Sequence, residues 1–160
     1  MSFAALLERM TRAAEAKDGA GFAACFTEDG IYRDYIYGDH VGRASIADML
    51  ENYFHRDATD YRWQFFDPVS DGKTGYAWSL SAFTSTIPQF KGRPIVIDGA
   101  SRFRLKDGLI AEYWESVNGG VAMSQLGVAP ERIAKVLARW AGQLRAKPET
   151  IAYLHTKKRP

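Results

Sequence analysis

The sequence predicts an α+β domain in which a strongly curved antiparallel sheet wraps around N-terminal helices and an extra helix closes the chain. Three observations carry this reading. The first 54 residues show helical apolar spacing broken by one strand-like stretch. Residues 61–117 then read as four successive strands rich in aromatic, Val, Ile and Ser/Thr residues, and from Pro130 the helical spacing returns. No repeat, low-complexity linker or second boundary interrupts the chain, so residues 1–160 form one domain, with a C-terminal helix over 130–147 and a tail over 148–160.

Phe3, Leu6, Leu7 and Met10 recur every three to four residues, which predicts an amphipathic helix ending near Lys17, before Asp18-Gly19. A second short helix carries Phe22, Cys25 and Phe26 inward and stops before the turn pair Asp29-Gly30. The β-branched and aromatic residues of 31–37 predict a strand with Tyr32, Asp34 and Ile36 on one face, closed by Gly38. From Gly42, residues Ile46, Met49, Leu50, Tyr53 and Phe54 make the apolar face of another helix.

The four meander strands are Tyr61 to Val69, Lys73 to Ile87, Arg93 to Lys106 and Leu109 to Val117. Asp71-Gly72 and Asp107-Gly108 are hairpin dipeptides, and Lys91-Gly92 joins the middle pair. Asp71-Gly72-Lys73-Thr74 ends like a phosphate-binding loop, but the upstream glycine of such a loop is aspartate at position 67, so the hairpin turn is the reading kept. In the final helix Ile133, Leu137, Trp140 and Leu144 form a stripe that either lids a pocket or joins a dimer.

The composition, 46% hydrophobic, 13% aromatic and 25% charged, is that of a globular domain. At 160 residues about 70% of the unfolded surface can be buried without disulfide or metal staples. The net charge of +2 comes from 21 basic and 19 acidic residues with no basic, aromatic-interleaved stripe, which argues against nucleic-acid binding; Lys157, Lys158 and Arg159 read as a solvated tail. No segment approaches the ~20 apolar residues of a membrane span. Glu8 and Arg9 interrupt the start too early for a secretory signal. The lone Cys25 reads as a small core residue in a reducing compartment, so a cytoplasmic protein is expected.

Phe26-Thr27-Glu28-Asp29-Gly30-Ile31-Tyr32-Arg33-Asp34 followed by Gly42-Arg43-Ala44-Ser45-Ile46 resembles the signature of the nuclear transport factor 2-like superfamily, which includes ketosteroid isomerases and SnoaL-like polyketide cyclases. Lys106 to Trp114 looks like that superfamily's final hairpin, and Gln125 to Pro130 like the tail of its SnoaL-like branch. The resemblance spans about residues 5–130. It implies a cone-shaped α+β barrel with a deep pocket between sheet and helices, and a homodimer built on the outer sheet face. It leaves function open, because this fold hosts isomerases, dehydratases, cyclases, epoxide hydrolases and structural subunits.

Alternation sorts the candidate site. Asp34 shares its face with Tyr32; Ile97, Gly99, Ser101 and Phe103 form the natural interior of the third meander strand, opposite Asp98, Arg102 and Arg104. Tyr113, Glu115 and Val117 share a face, which similarity to the ketosteroid isomerases turns toward the pocket. Asp34 sits where similar isomerases carry the general base, and an apolar cavity raises a carboxylate's pKa toward a useful range; the plainer role is hydrogen bonding a turn at the strand end. Glu115 resembles an acid of the epoxide hydrolase branch, and a carboxylate on a buried strand is costly unless paired, protonated or used. Two carboxylates in one cavity divide into an acid and a base.

His40, in the loop after the first strand, is a third acid/base candidate at the pocket mouth, with an exposed loop histidine as the alternative. Trp63, Trp78, Phe103 and Tyr113, with Phe65, Phe83 and Phe90, give an aromatic lining for a cyclic or aromatic small molecule. Ser101 and Met10 stand where the isomerases place their oxyanion-hole acid and phenol, and Asn118 stands near a cyclase aspartate, where an amide polarises a carbonyl. The three histidines and one cysteine have no ligand spacing, so neither metal nor cofactor is expected. The expectation is therefore a cofactor-independent isomerase, dehydratase or cyclase with Asp34 as base, Glu115 as partner acid, and Tyr32, Tyr113, His40 and Asn118 as donors or orienters. The alternative is a non-catalytic ligand-binding or assembly domain that works through Ile110 and Trp114 on the outer sheet face.

Overall fold

The computed structural model describes residues 1–34 and 36–156. Helix α1 (Phe3–Glu15) begins at Ser2, whose hydroxyl accepts from the Ala5 N–H at 3.2 Å. Its three-to-four spacing buries Leu6, Leu7, Met10, Ala13 and Ala14, each large side chain contributing roughly 1.5–3 kcal/mol through area removed from water. Helix α2 (Gly19–Ala23) is capped by Asp18 and buries Phe22. Helix α3 (Arg43–Met49) runs on through a π-helical turn at Leu50–Phe54 and a last turn at His55–Asp57.

Six strands form one sheet in the order β2-β1-β6-β5-β4-β3: β1 (Phe26–Asp34), β2 (Gly38–Val41), β3 (Ala58–Ser70), β4 (Thr74–Ser85), β5 (Pro94–Lys106) and β6 (Leu109–Val117). The sheet is mixed rather than wholly antiparallel, because β1 runs parallel to β6 while the other neighbours are antiparallel. It is also open, with β2 and β3 as its edges, so the cone is a curled sheet and not a closed barrel. Helices α4 (Gly119–Gln125), α5 (Pro130–Ala146) and α6 (Pro148–His155) complete the chain.

Several local expectations change. Strand β1 starts at Phe26, five residues before the predicted strand, and Asp29-Gly30 lies within it. The pairing with β6 jumps between Phe26 and Ile31, and Gly30 fills that irregular stretch. A Cβ on Gly30 would lie 2.9 Å from Phe26 Cβ and 3.0 Å from the Thr27 carbonyl oxygen, so close approach, not a turn, requires this glycine. Residues 38–41, read as loop, form edge strand β2. Residues 148–155, read as tail, form α6, which Pro148 starts at its first position. Lys157, Lys158 and Arg159 lie outside the described residues.

The core lies between α1–α3 and the inner sheet face, around Phe22, Phe26, Tyr32, Phe103 and Tyr113. Inner positions along β4 are small: Gly75, Ala77, Ser79 and Ser81. Phe3 occupies the space over Gly75, where a Cβ would meet its ring at 2.5 Å. From Ser79 onward a cavity remains, lined by Ser79, Ser81 and Ser85 and by no residue of α1. Among the described residues, no helix is long and apolar enough to cross a membrane.

Candidate functional site

The cavity, of about 380 Å³, opens between the sheet and the C-terminal helices. Its wall is mostly apolar and aromatic: Tyr32 from β1, Tyr61 and Trp63 from β3, Phe83 from β4 and Ile95 and Ile97 from β5, with Phe90 at the β4–β5 connection. Tyr61 stacks on Phe83 with ring centroids 5.7 Å apart. Ser79, Ser81 and Ser85 supply hydroxyls along β4.

Two carboxylates enter this space, Asp34 and Glu115. The parallel ladder explains why they meet. Tyr32 pairs with Tyr113 and Arg33 with Trp114, so the next residues along both strands, Asp34 and Glu115, project to the same side as the tyrosines behind them. Asp34 Oδ1 accepts the backbone N–H groups of Ile36 and Tyr37, both at 2.6 Å. The turn-bonding role foreseen for Asp34 is therefore real, and one carboxylate oxygen serves it. Burial raises the Asp34 pKa above the ordinary value, opposed by those two N–H bonds and by His40.

Glu115 is pushed up to about 8, by burial first and by the neighbouring Asp34 charge second. Its Oε2 accepts from the Tyr113 hydroxyl at 3.0 Å, which in turn is 3.0 Å from Ser101 Oγ. That bond favours the carboxylate and works against the rise. Tyr32 and Tyr113 lie with centroids 4.5 Å apart, and burial holds both phenols well above their usual range, so they remain O–H donors.

The other expected site residues divide. Trp63 lines the cavity; Ser101 and Tyr113 lie behind Glu115 as the hydrogen-bonded chain just described. Phe103 is deeper core, packed edge-on against Phe3 and Phe65, and does not line the cavity. Trp78 is a correction: it sits on the outer sheet face and is 47% exposed, because the β4 alternation puts Ala77 and Ser79 inward. Asn118 is another, since its Oδ1 accepts from the Val121 N–H at 3.3 Å and caps α4 rather than lining the cavity.

His40 lies on β2, not in a loop, and is buried. It pairs with Tyr32 across β1, sits edge-on to Tyr53, and places Nδ1 3.2 Å from Ser45 Oγ. It backs the site without lining the cavity. Ile110 is also corrected: it is fully buried in the core. Arg104 pairs with Glu112 but Leu105 with Ile110, so Ala111 is the extra residue of a bulge that reverses alternation and turns Ile110 inward. Trp114 does face outward, between the guanidinium groups of Arg33 and Arg102, 5.7 and 5.0 Å from the ring centroid.

Two features of the cavity were not foreseen. The Tyr37 hydroxyl donates to Asp57 Oδ2 at 2.7 Å, and Arg56 and that phenol keep the Asp57 carboxyl below its ordinary range. Helix α5 turns Arg132, Val136, Arg139 and Trp140 onto the cavity. A helical arginine reads equally well as surface, so only docking of α5 reveals its direction. A second, more open groove of about 750 Å³ shares Asp34, Glu115, Arg139 and Trp140 with the cavity and is otherwise lined by residues such as Arg33, Asp39, Glu112 and Trp114. Among the described residues no three metal-ligating side chains converge.

Residues 7–113, more than half of the chain, match the SnoaL-like domain. The chain belongs to the SnoaL-like family. No curated protein matches it. Among solved structures this SnoaL-like domain is similar to a protein of ketosteroid isomerase-like fold from Catenulispora acidiphila in complex with trimethylamine, at 14% identity and TM-score 0.69 over 79% of this chain and 95% of that one. It is similar to a candidate polyketide cyclase from Xanthomonas campestris, at 22% identity and TM-score 0.63 over 76% and 94%. It is also similar to an LEH-like epoxide hydrolase of M. tuberculosis, at 14% identity and TM-score 0.63 over 84% and 93%. At these identities the likeness establishes the fold.

Proposed function

We propose that this SnoaL-like domain is a cofactor-independent enzyme that transfers protons on an apolar cyclic or aromatic carbonyl or hydroxyl compound, in isomerisation, dehydration or cyclisation. One observation carries the reading: Asp34 and Glu115 share a largely apolar cavity in which burial raises both carboxyls and the Asp34 charge raises Glu115 further. Asp34, the lower of the two, is the base, and its Oδ2 takes the proton while Oδ1 stays fixed by the Ile36 and Tyr37 N–H groups. Glu115 is the acid. It donates a proton to the oxygen on which charge develops, and Tyr113 and Ser101 stabilise the carboxylate left behind. In isomerisation the Asp34 proton goes to another carbon, and in dehydration it leaves with the hydroxyl as water, while the enol oxygen returns its proton to Glu115; in cyclisation the new hydroxyl keeps the Glu115 proton and the Asp34 proton passes back to Glu115. Cys25, a buried free thiol, supports a reducing cytoplasmic setting.

The test is hydrogen–deuterium exchange of cyclic ketones in D2O, followed by proton NMR. The native protein is expected to exchange protons beside the carbonyl of at least one ketone of a mono- to tricyclic panel, and Asp34→Asn to slow that exchange by ~100-fold or more. Exchange unchanged in Asp34→Asn refutes the base assignment.

A second reading concerns the outer sheet face, where Tyr76, Trp78, Leu80 and Val96 are 40–51% exposed. This patch supports a homodimer, and in the non-catalytic alternative it would be the working surface. The enzyme reading is preferred because an assembly domain has no use for two carboxylates held in an apolar cavity.

A further inference from the structure

Helix α5 docks with an unexpected face toward the cavity. Its sequence stripe, Ile133, Leu137, Trp140 and Leu144, would be the buried side of an ordinary amphipathic helix. Of that stripe Trp140 lines the cavity and Ile133 is half-buried, but Leu137 is 42% and Leu144 52% exposed, while Arg132, Val136 and Arg139 line the cavity beside Trp140. The docking is specific. Gly119 lies against the Trp140 ring, where a Cβ would be 2.6 Å from Cζ3, and Gly120 lies against Leu137. Gln125 fixes α4 beneath it by accepting from the Val96 N–H and donating to the Val96 carbonyl, both at 2.8 Å, on a stretch of β5 beyond its pairing with β6.

This arrangement leaves two guanidinium groups on the rim of an apolar cavity, seven residues apart on one helix. Among the described residues, neither Arg132 nor Arg139 has an ion pair or a hydrogen bond with an acidic side chain. Asp57, the third acid on the wall, is already held by Arg56 and Tyr37. A cationic rim beside half-exposed leucines is a poor way to cover an apolar hole, but it suits a ligand whose body is apolar and whose end is anionic.

We propose that the substrate carries a carboxylate, held by Arg132 and Arg139 on α5 while its cyclic body fills the cavity and its reacting carbon faces Asp34 and Glu115. This rests on the proton-transfer reading for the reaction, but the anion site stands on α5 alone. Arginine suits the task because its planar fork binds a carboxylate through two charge-assisted hydrogen bonds. Arg139 borders both the cavity and the second groove.

The experiment compares two probes of one shape, 2-naphthoate and 2-naphthamide, titrated into the full chain by calorimetry. The native protein is expected to bind naphthoate ~10-fold or more tighter than the amide, as one charge-assisted pair supplies. The double variant Arg132→Gln/Arg139→Gln is expected to lose that preference while binding the amide as before, which also reports that the cavity is intact. Arg132→Lys/Arg139→Lys is expected to keep part of it. Equal affinities in the native protein, a preference that survives the double glutamine variant, or binding of neither probe at millimolar concentration overturns the proposal. Naphthoate selectivity without any ketone exchange would instead refute proton transfer and leave the anion site standing.

Discussion

Asp34 and Glu115 stand side by side because β1 and β6 run parallel, one register step beyond the stacked pair Tyr32 and Tyr113. Parallel pairing is the one departure from an antiparallel meander in this sheet, and it brings together two aspects of the site. The tyrosine pair is buried in the core, and the carboxylate pair one step further along the strands lines the cavity. Burial then raises both acids, and the Asp34 charge raises Glu115 further.

The first consequence is a bell-shaped pH dependence. Catalysis needs Asp34 ionised and Glu115 protonated. The rate should rise with Asp34 ionisation, which burial moves above the ordinary aspartate value, and fall near 8 as Glu115 loses its proton. In a pH profile of kcat/KM on an exchanging ketone, Glu115→Gln should remove the alkaline limb.

Stability should carry the same signature. The folded state holds the Glu115 proton up to about 8, whereas the unfolded chain releases it at its ordinary value near 4.5. Between these two values the folded state binds more protons, so stability falls as pH rises, by about 1.4 kcal/mol for each unit by which the pKa is raised. Thermal melts at pH 5 and pH 8 check this. Glu115→Gln should gain on the native protein between the two, and a gap independent of pH would refute it.

The outer face yields a third prediction. Trp78 pairs across the sheet with Phe66 and Ala100, amid exposed Tyr76, Leu80 and Val96. Sedimentation velocity should show a dimer for the native chain and a monomer for Trp78→Glu, since a charge cannot be buried unpaired in an apolar contact. Naphthoate binding should persist in that monomer.

Gly119 provides the fourth. A side chain there collides with Trp140, so Gly119→Val should undock α5. Limited proteolysis between residues 128 and 146 should quicken by ~10-fold or more, with the rest of the domain protected.

Much of this was legible in the sequence, and the failures have specific causes. Alternation along 97–103 and 113–117 sorted inner from outer residues correctly, including Arg102 on the outside over Trp114. Continuity of the strands made this possible. Alternation failed at Ile110, where one extra residue, Ala111, reverses the face, and bulges leave no clear mark in a single sequence. Trp78 was misplaced because aromatic content was read without its strand parity; Ala77, Ser79 and Ser81 on the other parity were the available signal. Asn118 was misassigned because an Asn before Gly-Gly caps a helix as readily as it polarises a carbonyl. The arginine rim was hidden because the α5 stripe meets the cavity only through Trp140 at its edge, and the fit of Trp140 over Gly119 fixes the helix rotation.

The most direct measurement is a carbon-13 NMR titration of the Glu115 side-chain carboxyl, in the native protein and in Asp34→Asn. A midpoint near 8 is expected in the native protein, with a clear downward shift when the Asp34 charge is removed. A midpoint near 4.5 in the native protein, or one unmoved by Asp34→Asn, would contradict the pairing of these two carboxylates as acid and base.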